Sequence, residues 1–313
     1  MLRSLVLLAY SGIAAAENGL AGWLRYAPIP GASHHHNSIP SHIIALNESK
    51  HSPVYTAGQE LERGIHGIFG KRCGVHHGWH QDASSIVVGT LDAYMESYGD
   101  LENMPSLLED GFWLCTKDQK VQILGQNERG ALYGAFEYLS MLAQGNMTEV
   151  AYGSSPSAPV RWTNEWDNMD GSIERGFAGN SIFFADGGIV GNLTRAAEYA
   201  RLLSSIRINA VVVNNVNANA TLLSPENLDG LARIADVFRP YGVQVGISLY
   251  FSSPSSAVPG RANLTTFDPL DDTVISWWGN VTEDIYQRIP DFAGYLVKAN
   301  SEVRLQDSVV NSC

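Results

Sequence analysis

The pattern of apolar and polar residues changes at a stretch rich in serine and proline, residues 153–159. After it, short apolar runs alternate with amphipathic helical patterns, which is typical of parallel βα units. The pattern predicts a short apolar segment at 181–185 and helices over 193–204, 224–238 and 271–288. It predicts strands over 160–164, 208–215, 243–251 and 292–299.

The region before this boundary mixes both patterns. A buried strand is predicted over 85–89, and the runs 111–115 and 121–124 flank a polar turn, as the two strands of a hairpin do. An amphipathic helix is predicted over 131–142. We therefore expect an α/β accessory domain over 17–152, followed by a second domain over 160–302.

The first sixteen residues have the features of a secretory signal peptide. Arg3 precedes a short apolar run, and small residues, Ala14 to Ala16, come directly before Glu17. The run is too short to cross a bilayer of about 30 Å, although a buried first helix is the alternative interpretation. Six Asn-x-Ser/Thr sequons support export, and together these features predict a secreted, extracellular glycoprotein without a membrane anchor. The sequons begin at Asn47, Asn146, Asn192, Asn219, Asn263 and Asn280.

The amino-acid composition and net charge disfavour several classes of function. The 313 residues include 20 basic and 32 acidic side chains, and the net charge of −12 disfavours nucleic acid and anionic membranes as partners. The three cysteines show no paired metal-ligand spacing, and Cys73 and Cys115 can form a disulfide or remain two buried thiols. His76, His77 and His80 match no metal-binding motif, and no glycine-rich phosphate motif is present. We expect neither a metal nor a cofactor.

Residues that could bind a substrate or catalyse a reaction follow the predicted strands of the second domain. Asn164 and Trp166 follow the first strand, asparagines at 214, 215 and 217 and then Tyr250 follow later ones, and Lys298, Asn300 and Glu302 lie at the last. Functional residues at the carboxyl ends of successive strands are typical of a TIM barrel. However, only 154 residues remain from Val160 to Cys313, whereas eight βα units take about 250. Either about four units of a truncated (β/α)8 barrel are present or the fold is not a barrel.

Residues 164–179, which read NEWDNMDGSIERGFAG, closely resemble the α-glucuronidases of glycoside hydrolase family 67. Residues 208–217 and 294–302 resemble the same family in the same order, and the region around 125–130 is similar to its non-catalytic α/β domain. The resemblance implies a hydrolase that removes (4-O-methyl-)glucuronic acid, joined by an α-1,2 link, from xylo-oligosaccharides with inversion. It further implies a catalytic (β/α)8 barrel, substrates derived from glucuronoxylan, and a homodimer in the full-length family.

The resemblance also implies roles for individual residues. Glu302 matches the general acid, and Lys298 matches a cation that holds the uronate carboxylate. Trp166 and Glu174 match substrate-pocket residues, and Asn215 is a further candidate for substrate binding. The alternatives are a core tryptophan, turn-forming asparagines and a surface ion pair between Lys298 and Glu302.

The end of the chain departs from the family. Residues 303–313 resemble nothing in it, whereas a member would continue with a Gly/Pro-rich loop and several hundred residues, so a frameshift, retained intron or premature stop is expected. The carboxylates that activate water in the family lie in that missing part. We therefore expect a polypeptide with little or no hydrolytic activity by itself. A non-catalytic carbohydrate-binding fragment and a barrel of the hexosaminidase type are the competing interpretations.

Overall fold

Each half of the chain forms its own main β-sheet. The computed structural model describes residues 19–81, 84–101, 106–117 and 120–297. The elements of the first half are α1 (Gly19–Leu24), β1 (His42–Ala45), α2 (Pro53–Phe69), β2 (Gly74–His77), β3 (Ser85–Thr90), α3 (Leu91–Tyr98), β4 (Phe112–Lys117), β5 (Lys120–Gly125), α4 (Glu128–Ala143) and β6 (Ala151–Ser154). The order of its sheet is β2-β1-β3-β5-β4-β6, with β4 antiparallel to both of its neighbours.

Helices α2 and α4 cover one face of this sheet. Helix α2 begins at Ser52, whose side chain accepts a hydrogen bond from the amide of Val54, and ends at Gly70 in the left-handed conformation. Its apolar stripe packs against α4 so closely that a Cβ at Gly64 would overlap Leu139. A glycine is therefore required where the two helices meet.

The second half of the chain forms a parallel sheet. Its order is β12-β11-β10-β7, so strands that are neighbours in the sheet follow one another along the chain. A helix precedes each of β10, β11 and β12, as the pattern of βα units predicts. The elements are β7 (Trp162–Asn164), β8 (Phe184–Ala185), β9 (Gly188–Ile189), α5 (Thr194–Ser205), β10 (Ala210–Val212), α6 (Pro225–Phe238), β11 (Gln244–Ser248), α7 (Asp272–Arg288) and β12 (Gly294–Leu296).

Strand alternation divides this parallel sheet into two faces. Val211, Val245 and Ile247 belong to a core that they share with helices α5, α6 and α7. The register pairs Val212 with Asn164 and Gly246 with Gly294, so these residues share the opposite face. The chain is therefore a mixed α/β protein with a parallel sheet. Within the described ranges β7 and β12 each pair with one strand of the sheet, so the sheet does not close into a barrel.

A buried carboxylate joins the two halves. Asp110, which is 2% exposed, accepts hydrogen bonds from Arg129 at 3.0 Å and from Arg161 at 2.7 Å. Asn127 donates to the same side chain at 2.9 Å, and Asn209 donates at 3.4 Å. Asp110 and Arg129 belong to the first half, whereas Arg161 and Asn209 directly precede β7 and β10. The carboxylate thus fixes the amino ends of the parallel strands to the first sheet.

A second buried ion pair connects α2 to α5. Arg201 donates to both carboxylate oxygens of Glu60, with Nε at 3.0 Å from each oxygen, and the Tyr26 hydroxyl donates to Glu60 at 2.7 Å. Arg201 and Tyr26 both donate hydrogen bonds to Glu60, so the buried charges are paired. Paired and hydrogen-bonded charges can be buried without a large cost in free energy.

The Cys73–Cys115 disulfide does not form, and both residues are free thiols. Cys73 packs in the core beneath α2 and α4, and its thiol donates to the carbonyl of Pro40. Cys115 alternates with Phe112 and Leu114, which face that core, so it lies on the other face of the sheet. Cys73 directly precedes β2 and Cys115 lies in β4, and these two strands are four places apart in the sheet, or about 19 Å at 4.8 Å per strand. The structure therefore agrees with the alternative prediction, in which Cys73 and Cys115 remain thiols.

In the part of the chain that the structure describes, none of the helices has both the length and the apolar character needed to cross a bilayer.

Removing the charge of Asp110 should destabilise the fold. Its backbone φ is +59°, a left-handed conformation that asparagine also tolerates, so Asp110→Asn changes the charge with little backbone strain. We expect the free energy of unfolding at pH 7 to fall by about 3–5 kcal/mol, because two arginines lose a buried partner. Urea denaturation measures this loss, and the matched variant Glu109→Gln, at the exposed neighbouring position, should change stability by no more than about 0.5 kcal/mol.

The same group makes the stability dependent on pH. Burial acts to raise the pKa of Asp110, but the hydrogen bond from Arg161 and the charge of Arg129 prevail and hold it below its usual range. Its contribution is therefore complete above about pH 4 and is lost as the pH falls through the lowered pKa. An Asp110→Asn variant that lost stability with acid as steeply as the parent chain would contradict this assignment.

Candidate active site

Polar and aromatic side chains gather where the parallel strands end. Glu165, Trp166 and Asp167 follow β7 directly, and Asn214 and Asn215 follow β10. The carboxyl ends of neighbouring parallel strands meet at one edge of a sheet, which is where α/β enzymes place their sites. The structure brings residues from these two strand ends into direct contact.

Asn215 is the centre of these contacts. Its backbone amide donates to the carbonyl of Asp167 at 2.8 Å. Its side-chain amide donates to Asn168 Oδ1 at 2.8 Å and to the carbonyl of Trp166 at 3.5 Å, and its own oxygen accepts from the amide of Asn217 at 2.9 Å. With these bonds Asn215 holds the segment after β7 against the segment after β10.

Glu174 returns to the same place through a tight loop. Its φ is +57°, and its backbone amide donates to the carbonyl of Trp166 at 2.9 Å. Asn168 Nδ2 donates to the carbonyl of Glu174 at 2.9 Å. Trp166, Glu174 and Asn215, which the sequence predicts as site residues, therefore lie close together, and their roles in substrate binding stay predictions. Trp166 is 38% exposed and is not a core tryptophan, whereas the hydrogen bond that Asn215 accepts from the amide of Asn217 is one that turn-forming asparagines make.

Two carboxyl groups occupy the end of β7. The hydroxyl of Tyr199 on α5 donates to Glu165 Oε1, and burial together with this bond raises the pKa of Tyr199. Asp167 is only 4% exposed, and burial, together with the charge of Glu165, raises its pKa to about 7 although a hydrogen bond from Ser181 opposes the shift. Asp167 can therefore exist as a neutral acid near neutral pH, as groups with perturbed pKa values in clefts often do at functional sites.

A pocket opens beside these groups. Its volume is about 280 Å³, and it lies between the loops that follow β7 and β10. The residues that line it are mostly amides and carboxyl groups: Asp167, Asn168, Met169, Asp170, Asn214, Asn215, Asn217, Ala218 and Asn219.

The third strand end adds a rigid support and exposed aromatic rings. Asn214 and Ser248 exchange hydrogen bonds, with the Ser248 amide donating to Asn214 Oδ1 at 2.8 Å. Tyr250 and Phe251 follow β11 and are 48% and 51% exposed, and Trp166 is 38% exposed. Exposed rings beside hydrogen-bonding groups suit carbohydrate, because a sugar presents apolar faces and hydroxyl edges.

Comparison with known protein families shows which family the chain belongs to. The model described as "Glycosyl hydrolase family 67 middle domain" matches residues 141–308, and the model described as "Glycosyl hydrolase family 67 N-terminus" matches residues 22–138. The chain belongs to glycosyl hydrolase family 67. The junction of the two family models lies before β6, although β6 belongs to the first sheet.

Curated relatives agree with the family. A protein of Neosartorya fischeri named "Probable alpha-glucuronidase A" is 62% identical over 95% of this chain, and "Alpha-glucuronidase A" of Emericella nidulans is 55% identical over 96%. This family 67 chain spans about 35% of the length of the former and 36% of the latter.

Two solved structures share the fold at low sequence identity. A family GH115 4-O-methyl-alpha-glucuronidase with specificity for decorated arabinogalactans has a TM-score of 0.54 and 16% identity, covering 80% of this chain and 35% of its own. A GH138 enzyme targeting pectin rhamnogalacturonan II has a TM-score of 0.53 and 14% identity, covering 82% of this chain and 30% of its own.

The two charged residues predicted at the last strand, Lys298 and Glu302, lie outside the described residues. Asp167 and Asn168 belong to the site and were not predicted as site residues. Their position in the Asn-Glu-Trp-Asp-Asn run at a strand end was the available signal, although sequence does not reveal that Asp167 is buried.

The sequons differ in their surroundings. Asn47 Nδ2 donates to Glu128 at 2.7 Å, whereas Asn280 lies within α7. Asn146, Asn192 and Asn219 are exposed, and each accepts a hydrogen bond from the amide two residues later. Asn263 is also exposed. Glycosylation of these six positions stays a prediction.

Asp167→Asn should stabilise the protein at alkaline pH. The raised pKa means that between about pH 4 and 7 the folded state keeps a proton that the unfolded chain has lost, so stability falls as the pH rises through this window. The amide cannot ionise, and we expect the variant to exceed the parent by roughly 1–3 kcal/mol at about pH 8 and to match it near pH 4. Urea midpoints at the two pH values measure the difference.

Asp170→Asn provides the control, because Asp170 is exposed and hydrogen bonds from Ser172 hold its pKa below the usual range. This variant should gain nothing at alkaline pH. If Asp167→Asn had the same advantage at both pH values, Asp167 would not be the titrating group.

Proposed function

We propose that this chain carries the acid-donating and substrate-holding part of an α-glucuronidase active site. The observation that carries the proposal is the sequential parallel order β7, β10, β11 and β12, with a polar pocket at the carboxyl ends of the first two. Family membership and the names of the curated relatives support the same activity. We propose that the four strands are the first four of a (β/α)8 barrel, since successive neighbours in one parallel sheet are what a barrel requires.

The proposed reaction is hydrolysis, with inversion, of the α-1,2 link between (4-O-methyl-)glucuronic acid and a xylo-oligosaccharide. Glu302 donates a proton to the leaving oxygen, and Lys298, two residues beyond the end of β12, holds the uronate carboxylate. An ammonium group suits this role because it is a compact point charge. By itself Lys298 would favour the ionised form of Glu302, so the bound uronate must offset that charge for the acid to remain protonated.

The described residues would hold the rest of the substrate. Trp166 offers an exposed indole for stacking on a sugar face, and Asn215 fixes the loop that carries it. Glu174 is attached to the same loop through its backbone. These groups would orient the glycosidic bond, and orientation is a large part of what an active site contributes to rate.

An inverting glycosidase also needs a base across from the acid, about 6.5–9.5 Å away, with water between them. The residues matched to the family in this chain include the acid and no such base. We therefore propose that the chain alone has little or no activity, because general-base catalysis typically contributes 10²–10⁴-fold. We further propose that the protein is secreted and glycosylated, and that its partners are oligosaccharides from glucuronoxylan, neither nucleic acid nor membrane.

Incubation with an aldouronic acid tests this proposal. The purified chain should release uronic acid no faster than its Glu302→Gln variant, because the water-activating carboxylate is missing. Release above the level of that variant, measured by chromatography of the sugars, would overturn the proposed inactivity. Calorimetry with glucuronic acid, in which Lys298→Met should weaken binding, tests the substrate-holding role separately.

Binding without turnover is also what a non-catalytic carbohydrate-binding fragment would show. The amide-rich pocket and the exposed rings favour this second candidate function. An absence of heat with both glucuronic acid and xylo-oligosaccharides would eliminate it.

A further inference from the structure

A second pocket lies on the first half of the chain, beside one of the six sequons. It opens between the end of α4, the hairpin of β4 and β5, and the segment before β6, and its volume is about 210 Å³. Asn146, which begins the sequon Asn-Met-Thr, is among the residues that line it. The described residues of its lining all belong to the first half, whereas the candidate active site lies at the carboxyl ends of the parallel strands.

Asn146 is held in a fixed position at this pocket. Its backbone amide donates to the carbonyl of Met141 at 3.0 Å, a bond that turns the chain back after α4. Its side-chain Oδ1 accepts hydrogen bonds from the amide and the hydroxyl of Thr148, at 3.1 and 2.7 Å. A glycan is joined to asparagine through Nδ2, so the first sugar on Asn146 would start from a fixed point beside the pocket.

A buried hydroxyl in the same pocket lacks a hydrogen-bond partner. Tyr138 of α4 lines the pocket and is only 5% exposed. Its hydroxyl makes no hydrogen bond to any residue that the structure describes. Burial raises the pKa of Tyr138 well above its usual range, so the hydroxyl keeps its proton and can donate it. Because a buried hydroxyl without a partner costs free energy, this group indicates a bound molecule that accepts its hydrogen bond.

The remaining lining suits one sugar ring. N-acetylglucosamine, the first sugar of an asparagine-linked glycan, presents apolar ring faces and a methyl group together with oxygens that accept hydrogen bonds. The pocket is smaller than the roughly 300–1,000 Å³ that is usual for drug-sized ligands, so it has room for one ring while the outer sugars lie in solvent. The apolar part of its wall is formed by Ile39, Val121, Met141, Leu142 and Met147.

From the position of Asn146, the unpaired hydroxyl and the mixed lining, we infer that this pocket holds the first N-acetylglucosamine of a glycan attached to Asn146. An oxygen of that sugar accepts the hydrogen bond from Tyr138. The bound sugar connects the end of α4 to the hairpin of β4 and β5 and so stabilises the first half of the chain. The inference rests on the proposed secretion and glycosylation, and not on the proposed hydrolysis.

Thermal unfolding of glycosylated and sugar-free protein tests the inference. Peptide mass spectrometry of the chain secreted from a yeast host shows whether Asn146 carries a glycan, and an unoccupied Asn146 would overturn the inference. In this protein Asn146→Gln should lower Tm by roughly 2–4 °C, because the bound sugar is lost. In protein from a bacterial host, which carries no glycan, the same substitution should change Tm by less than about 1 °C.

Trimming with endoglycosidase H separates the first sugar from the others. This enzyme leaves one N-acetylglucosamine on each asparagine, so the difference in Tm between the parent and Asn146→Gln should survive the treatment. If trimming abolished the difference, the outer sugars would be responsible and the pocket would not hold the first one.

Tyr138→Phe should have opposite effects in the two proteins. In the glycosylated chain it removes a hydrogen bond to the sugar and should lower Tm by roughly 1–3 °C, whereas in the bacterial chain it removes an unpaired hydroxyl and should not lower Tm. Combined with Asn146→Gln in the glycosylated chain, it should cost nothing further, because both changes remove the same interaction. An equal loss in the two proteins would contradict the contact between Tyr138 and the sugar.

Asn192→Gln is the matched control. Asn192 is exposed, begins a sequon and accepts a hydrogen bond from the amide of Thr194 at 2.9 Å, as Asn146 does from that of Thr148, but it is not part of this pocket's lining. Its substitution should change Tm by the same amount in the yeast and bacterial proteins.

The outcomes separate this inference from the proposed function. If all six sequons are unoccupied, the proposed glycosylation fails together with the inference. If Asn146 is occupied but Asn146→Gln has the same effect in both proteins, only the assignment of the pocket fails. Neither result bears on the release or binding of uronic acid, which the sugar assays measure independently.

Discussion

A buried carboxylate helps to place the second sheet against the first half of the chain. Asp110 lies between Arg129 of the first half and Arg161 of the second, and Arg129 continues to the carbonyl of Gly242 at 2.6 Å. A buried ion pair of this kind contributes less to net stability than to geometry, because desolvation offsets much of the attraction. Its effect is to specify one relative position for the two halves. Helices α2 and α5 then meet in a way that lets Glu60 and Arg201 satisfy each other.

Polar contacts also hold the loops of the candidate site together. Asn215 and Asn168, which are 47 residues apart in the sequence, connect the two loops, and Asn168 also donates to the backbone of Glu174. Loops are usually the most mobile parts of a fold, and a catalytic or binding geometry needs them held. Here side-chain amides link the two loops, and Met169 after β7 also shares a hydrophobic cluster with Ala220 and Leu222 after β10.

The sequence predicts the elements better than it predicts their interactions. The hairpin of β4 and β5, the helices α4 to α7 and the four parallel strands are confirmed, because hydrophobic periodicity reflects which face is buried. The strands are shorter than predicted: the run 208–215 forms a strand only at Ala210–Val212, since Val213 and the asparagines after it already belong to the loop. Helix α2 was not predicted, because the sequence pattern in the first half of the chain mixes helical and strand-like periodicity.

Side-chain partners were harder to predict. Hydrogen bonds connect the segments that carry Trp166, Glu174 and Asn215, and the roles of these residues in substrate binding stay predictions. Nothing in the sequence pattern identifies Asp110 as the link between the halves or Asp167 as a buried acid. The first property arises from Arg161, which is distant in the chain, and the second from burial in the folded state together with the charge of Glu165. The idea of a disulfide failed for the same reason, because cysteine spacing does not reveal which face of a sheet each thiol occupies.

The contacts with the first sheet and the loops of the candidate site lie at opposite ends of the same parallel strands. Arg161, Asn209 and Gln244 mark the amino ends, whereas Asp167, Asn215 and Tyr250 lie beyond the carboxyl ends. Substitutions in the loops at the carboxyl ends can therefore change the candidate site without altering the contacts that join the two halves. Mutant libraries confined to those loops would leave the same contacts intact. Specificity and domain cohesion are separable traits in this architecture.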